Sequence, residues 1–120
     1  MSLKVCQPGE VVVDFGCGAG IDVILAAHRV GTQGRVVGLD FASQMIERAK
    51  QALIASGLQE RDIELRVSDL ENTQLRPSFA GVVISNCVIN LCPDKKAVYG
   101  EAIRERSKIK NPVNLVNPVY

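Results

Sequence analysis

The feature that most constrains this chain is the segment Val11-Val12-Val13-Asp14-Phe15-Gly16-Cys17-Gly18-Ala19-Gly20. An apolar run ends in an acid and passes directly into a glycine-rich turn. A second apolar run, Val36-Val37-Gly38-Leu39, ends in Asp40, 20 residues past Gly20. In an open α/β sheet, ligands bind in the loops at the carboxyl ends of the strands. Glycines there let the backbone approach a ligand closely, and an acid at the tip of the neighbouring strand can accept both hydroxyls of a ribose. The two runs together predict a nucleoside site.

The rest of the chain falls into alternating elements around that site. Residues 11–15 and 35–39 read as strands buried on both faces, since only Asp14 interrupts the first apolar run. Residues 20–30 predict a helix with a partial stripe of Ile21, Ile24, Leu25 and Val30, stopped at Gly31. Residues 43–56 carry the clearest helical spacing, with Ile46, Ala49 and Leu53 in line, Met45 widening the stripe and Gly57 ending it. Residues 62–67 alternate, Ile63, Leu65 and Val67 against Glu64 and Arg66, which predicts a strand with one wetter face near a sheet edge. A fourth strand is expected over 81–85, and a helix over 93–106 opening at Pro93-Asp94. The order β-α-β-α-β-loop-β-α implies right-handed crossovers and a mostly parallel sheet, an α/β Rossmann-like fold. Beyond residue 107 the pattern fails: residues 111–120 hold two prolines and three asparagines and leave room for at most one short strand. Residues 1–120 therefore read as one domain with a divergent tail over 107–120.

Composition narrows the partners. Apolar residues make up 47% of the chain, as in a globular domain. The 14 basic and 13 acidic residues leave a net charge of +1, which predicts neither a nucleic-acid partner nor an anionic membrane surface. Arg104, Arg106, Lys108 and Lys110 read as a solvated helix end. No apolar run approaches the roughly 20 residues of a membrane span, and no signal peptide opens the chain, so a cytoplasmic protein with reduced thiols is expected. Cys6, Cys17, Cys87 and Cys92 form no CxxC pair, and the single histidine, His28, has no ligand spacing to them, so no structural zinc is expected.

Glycine spacing separates two kinds of nucleoside ligand. A dinucleotide turn wants GxGxxG, but the glycines here are Gly16-x-Gly18-x-Gly20, and Ile21 stands at the last GxGxxG position. Asp14, two residues before the first glycine, would repel a diphosphate. A ligand with an ammonium group and no phosphate suits that acid. On these residues the chain resembles the class I methyltransferases that use S-adenosylmethionine (SAM). The resemblance implies that Asp14 and the backbone of Gly16, Cys17, Gly18 and Gly20 surround the methionine end of SAM. It further implies that Asp40 binds the ribose, that Phe41 packs on the adenine, and that Asp69 and Leu70 contact the adenine after the third strand.

A second run is more distinctive: Ile84-Ser85-Asn86-Cys87-Val88-Ile89-Asn90-Leu91-Cys92-Pro93-Asp94-Lys95. It resembles the loop after the fourth strand in arsenite methyltransferases, and Gly18-Ala19-Gly20-Ile21-Asp22 is similar to their glycine turn. Trivalent arsenic is soft and thiophilic, so thiolates are its natural ligands. The resemblance implies that Cys87 is the catalytic, arsenic-holding cysteine and that Asn86 belongs to the cofactor-binding set. Cys6 and Cys92 are weaker arsenic-ligand candidates, Cys92 reading rather as a small buried hydrophobe.

The resemblance covers roughly residues 7–104. In the family's strand order 3-2-1-4-5-7-6 this chain would supply about four or five strands of seven, leaving the fourth strand as a bare edge. A bare apolar edge invites pairing. Either self-association to a homodimer through that strand, or its capping by residues 113–116, is expected. Three readings stay open: a methyltransferase acting on arsenite or on a small organic acceptor, a non-catalytic SAM-binding or dimerising half-domain, and an NAD-dependent oxidoreductase, against which the glycine spacing and Asp14 both speak.

Overall fold

A computed structural model of the chain describes residues 6–76 and 79–85, the helical residues Lys96, Ala97, Gly100, Glu101 and Arg104, and the backbone of Leu115 and Val116. The elements are β1 (Val11–Phe15), α1 (Ile21–Val30), β2 (Arg35–Asp40), α2 (Ser43–Ala55), β3 (Ile63–Val67), β4 (Val82–Ser85) and β5 (Leu115–Val116). They form one sheet in the order β3-β2-β1-β4-β5. Every neighbouring pair is parallel.

The sheet's register follows from its burial pattern. β1 and β2 lie in the middle and are covered on both faces, which is why they read as nearly unbroken apolar runs. On one face Val12, Val36, Val82 and Ile84 pack with Val23, Ala26, Ala27 and Val30 of α1 and with Ile46 and Leu53 of α2. On the other face Val13, Phe15, Val37, Leu39 and Val83 pack with Leu70, Leu75 and Ala80 from the β3–β4 connection. That connection, read from the sequence only as a loop, supplies buried apolar side chains to this face. Burying each large apolar side chain contributes roughly 1.5–3 kcal/mol. An exposed ion pair contributes about 0–1 kcal/mol, so the two apolar layers decide the fold.

β3 is the edge that its alternating sequence predicts. It is only half-buried, and its outer face carries charge. Glu64 accepts from Arg35 at 2.7 Å and from Arg66 Nε at 2.8 Å, and Arg35 also pairs with Asp62. Charged side chains on an edge discourage further strand pairing. Arg61 reaches back to α1, its guanidinium donating to the Ala27 carbonyl at 3.0 Å, where the helix ends at Gly31.

At the other side of the sheet, β4 is not bare. Leu115 and Val116 lie beside it, with Val83 paired to Leu115 and Ile84 to Val116. Of the two expectations for this edge, capping by the tail is the arrangement in the fold. Of the helix expected over 93–106, residues 96, 97, 100, 101 and 104 are helical; the remainder lies outside the described residues.

Gly38 is where helix and sheet come closest. It sits in β2 opposite Asp14 and Leu65. A Cβ there would lie 2.8 Å from Leu65 Cδ2, 2.9 Å from Val23 Cγ2 and 3.2 Å from Cys17 Cβ. The leucine tip can move; the valine on α1 and the loop cysteine are held. Gly38→Ala is therefore expected to destabilise the chain by about 1–3 kcal/mol through overpacking, read as a lower urea midpoint with an unchanged slope.

Candidate functional site

The site forms where β1 and β2 end. After Phe15 the backbone takes positive φ at Gly16 (81°), Gly18 (54°) and Gly20 (95°). The N–H groups of Gly16 and Cys17 both donate to the Leu39 carbonyl, at 2.7 and 2.8 Å, so the turn folds over the tip of β2. Gly20 then opens α1. A Cβ on Gly20 would lie 3.1 Å from both Cα and Cβ of Ala49, so a side chain there would also push α1 away from α2.

Asp40 ties the turn down. Its Oδ2 accepts the Gly18 N–H at 2.9 Å, and its Oδ1 accepts the Ala42 N–H at 2.8 Å. An ionised carboxylate offers about four lone-pair sites, so this bracing leaves capacity for ribose hydroxyls. The sequence suggests Asp40 as an acceptor for ribose hydroxyls; the fold shows it as a brace between the two loops. Phe41 follows it with its side chain 54% exposed, at the carboxyl end of β2.

Asp14 is the anomaly of the site. It is 1% exposed, and neither carboxyl oxygen has a hydrogen-bond partner among the described residues. The same holds for Ser85 Oγ on β4. Burial first, then the negative charges of Asp22 and Asp40, push the Asp14 carboxyl well above its ordinary range. A buried polar group without a partner costs on the order of 1–3 kcal/mol. A cation delivered by a ligand would relieve both the missing partner and the repulsion.

At the end of β3 lies a pocket of about 420 Å³, lined by Arg66, Val67, Ser68, Asp69, Asn72, Thr73 and Gln74. Asp69 shapes its floor: Oδ1 accepts the Glu71 N–H at 2.9 Å, and its carbonyl accepts the Asn72 N–H at 3.2 Å. Leu70 is 2% exposed and packs in the core layer with Phe15 and Leu39, so its side chain is committed to the core.

The thiols divide. Cys17 is buried beneath the turn, its Sγ 3.8 Å from the Gly18 carbonyl oxygen. Burial, then Asp14 and Asp40, raise its pKa. Cys6 is wholly buried in the α1/α2 layer, its thiol pushed up to about 11 by burial and Glu10, with Arg29 opposing and Asp14 adding. Both are free, neutral core thiols, and the thiolate is the form that binds metals. Asn86, Cys87 and Cys92 lie outside the described residues. His28 is exposed on α1. Among the described residues no cluster of histidine, cysteine and acid could hold a metal ion, and no helix is long and apolar enough to cross a membrane.

Sequence reasoning missed Thr73 and Glu101, which meet across 28 positions. Glu101 Oε2 accepts both the Thr73 N–H at 2.8 Å and the Thr73 hydroxyl at 2.7 Å. No local pattern signals such a pair.

Residues 7–109 match the model of a methyltransferase domain. The arsenite methyltransferase of Halobacterium salinarum is 38% identical over 97 residues, 81% of this chain and 24% of that protein. The aklanonic acid methyltransferase of a Streptomyces species is 38% identical over 86 residues, 72% of this chain and 38% of that protein. Among solved structures, an arsenic(III) S-adenosylmethionine methyltransferase from Chlamydomonas reinhardtii superposes with a TM-score of 0.78 at 34% identity, over 85% of this chain and 36% of that one. The chain thus spans about a quarter to two-fifths of the length of these relatives. The cofactor that this family and its structures indicate is S-adenosylmethionine. The chain belongs to the methyltransferase domain family.

Proposed function

We propose that this chain carries the SAM-binding part of a methyltransferase whose acceptor is trivalent arsenic held by thiolate, with Cys87 as an arsenic ligand. The observation that carries the cofactor reading is Asp14, a wholly buried carboxyl with no donor on either oxygen among the described residues, beside a glycine turn and two further acids. Bound SAM supplies a methyl group on a cationic sulfonium and, at its methionine end, an ammonium. Asp14 and the turn Gly16–Gly20 suit the methionine end. Asp40 suits the ribose, and Phe41 and the Asp69 pocket suit the adenine. The glycine turn and the covered apolar layers beneath it exclude water from that side.

The arsenic reading rests on likeness to arsenite methyltransferases and on the run Asn86-Cys87-Val88-Ile89-Asn90 in the segment after β4. Arsenic(III) brings its own lone pair, so the protein's contribution is to hold it in line with the methyl carbon. The carbon–sulfur bond breaks as the arsenic–carbon bond forms, and the bonding pair leaves with the sulfur. A small organic acceptor is the second reading, favoured by the equal identity to the aklanonic acid enzyme.

The first experiment is a calorimetric titration of the chain with SAM, with NAD in parallel. Micromolar binding of SAM alone is expected, and Asp40→Asn is expected to weaken it by about tenfold or more, through loss of both the ribose acceptor and the brace on Gly18. NAD binding without SAM binding would overturn the cofactor reading. SAM binding without methyl transfer to arsenite or to an organic acceptor would select the non-catalytic reading. Cys87→Ser is expected to abolish arsenite binding; unchanged binding would remove Cys87 as the ligand.

Asp14→Asn separates stability from binding. Asp14 has its ordinary pKa, 3.8, in the unfolded chain and a raised one in the fold. The stability this group contributes is fully present below that ordinary value and is lost as pH rises through the raised native value. Near pH 8 the amide, which cannot ionise, is therefore expected to raise the ligand-free unfolding midpoint by about 4 °C, while SAM affinity falls. Below pH 3.8 the two midpoints are expected to converge.

A further inference from the structure

The wall of the β3-end pocket is held from outside the pocket. Thr73 lines it, and both its N–H and its hydroxyl donate to Oε2 of Glu101, at 2.8 and 2.7 Å. The hydroxyl oxygen also accepts the Leu75 N–H at 3.3 Å, folding the chain tightly around Gln74. Gln74 stands at φ 61°, the one residue other than glycine with positive φ among those described. A left-handed residue with a side chain costs on the order of 1–3 kcal/mol and persists only where its surroundings over-determine it. Here Glu101 supplies that constraint. Glu101 is 9% exposed and is itself fixed by Arg104, whose Nε donates to Oε1 at 2.7 Å and whose terminal nitrogen donates to Oε2 at 2.8 Å. Arg104 first, with the Thr73 donors adding against the opposing effect of burial, holds the carboxyl down at about 2, so it stays an acceptor at working pH.

We infer that Glu101 is a positioning residue for cofactor binding, clamping Thr73 and with it residues 69–75 in the shape that receives the nucleoside end of SAM. The inference rests on the SAM reading. Glu101 touches no ligand; it acts through Thr73. It also joins this wall to the helical residues around Glu101.

The test titrates SAM and adenosine, which presents the nucleoside end alone, into the full 120-residue chain and into Thr73→Val, Thr73→Ser and Glu101→Gln. Ligand-free unfolding midpoints are measured alongside. Thr73→Val and Glu101→Gln are each expected to weaken both ligands by about five- to tenfold, and by similar factors, since the lost bond is to a charged acceptor. Thr73→Ser, which keeps the hydroxyl, is expected to restore affinity to within about twofold of the parent. A purely structural clamp would lower the midpoints and leave the affinities of the folded variants unchanged, and that result overturns the inference while the SAM reading stands. A parent chain that binds neither ligand overturns the SAM reading and the inference with it.

Discussion

The turn from β1 into α1 contains three glycines at positive φ and lies across the end of β2. Glycine loses more conformational freedom on folding than any other residue, so a turn so built needs external acceptors to hold one shape. β2 provides them: the Leu39 carbonyl takes two N–H groups, and the Asp40 carboxylate takes a third from Gly18 while also holding Ala42 at the start of α2. The cofactor turn, the central strand and both helices are thereby referred to one point in the sheet. Gly38 and Gly20 permit that convergence, because a methyl group at either would drive a helix or the turn away.

Around this brace the electrostatics run against the stability of the ligand-free fold. Asp14, Asp22 and Asp40 are all buried, and Asp14 feels the other two as like charges. An acid buried at the end of an apolar strand, with no donor among the described residues, is a poor choice for folding alone. It becomes sensible if the missing partner is an ammonium brought by a ligand, since the same low dielectric that penalises the lone acid strengthens its pairing with a cation. On the proposed cofactor reading, function accounts for the one place where the strand violates its own pattern.

Much of this was legible in the sequence because the central strands are buried on both faces and so announce themselves as apolar runs. β1, β2 and β4 begin and end within a residue of where composition places them. β3 was legible as an edge from Glu64 and Arg66. What stayed hidden was non-local or aperiodic. The β3–β4 connection packs on one sheet face through Leu70, Leu75 and Ala80, whose spacing matches neither helix nor strand. The tail strand, by contrast, was legible as one of two alternatives: residues 113–116 were expected as a cap on the fourth strand, and Leu115-Val116 pair with it. Asp14 was legible as an acid, but its lack of a partner among the described residues is a property of the packed core. The Thr73–Glu101 clamp depends on two segments 28 positions apart coming into contact, which no window of sequence contains.

The acid cluster also decides between nucleoside ligands more firmly than the glycine spacing does. A diphosphate seated over the turn would set negative charge beside Asp22, whereas Asp40, at the ribose end, suits either kind of nucleoside. Like unit charges about 4 Å apart repel by about 4 kcal/mol at the effective dielectric of a protein surface. That is a factor of roughly a thousand in affinity at 1.4 kcal/mol per tenfold. A sulfonium and an ammonium would turn the same charge into an attraction. The architecture of the turn is shared by many nucleotide-binding sheets; in the proposed reading, the sign of the charge beneath it selects a cationic nucleoside.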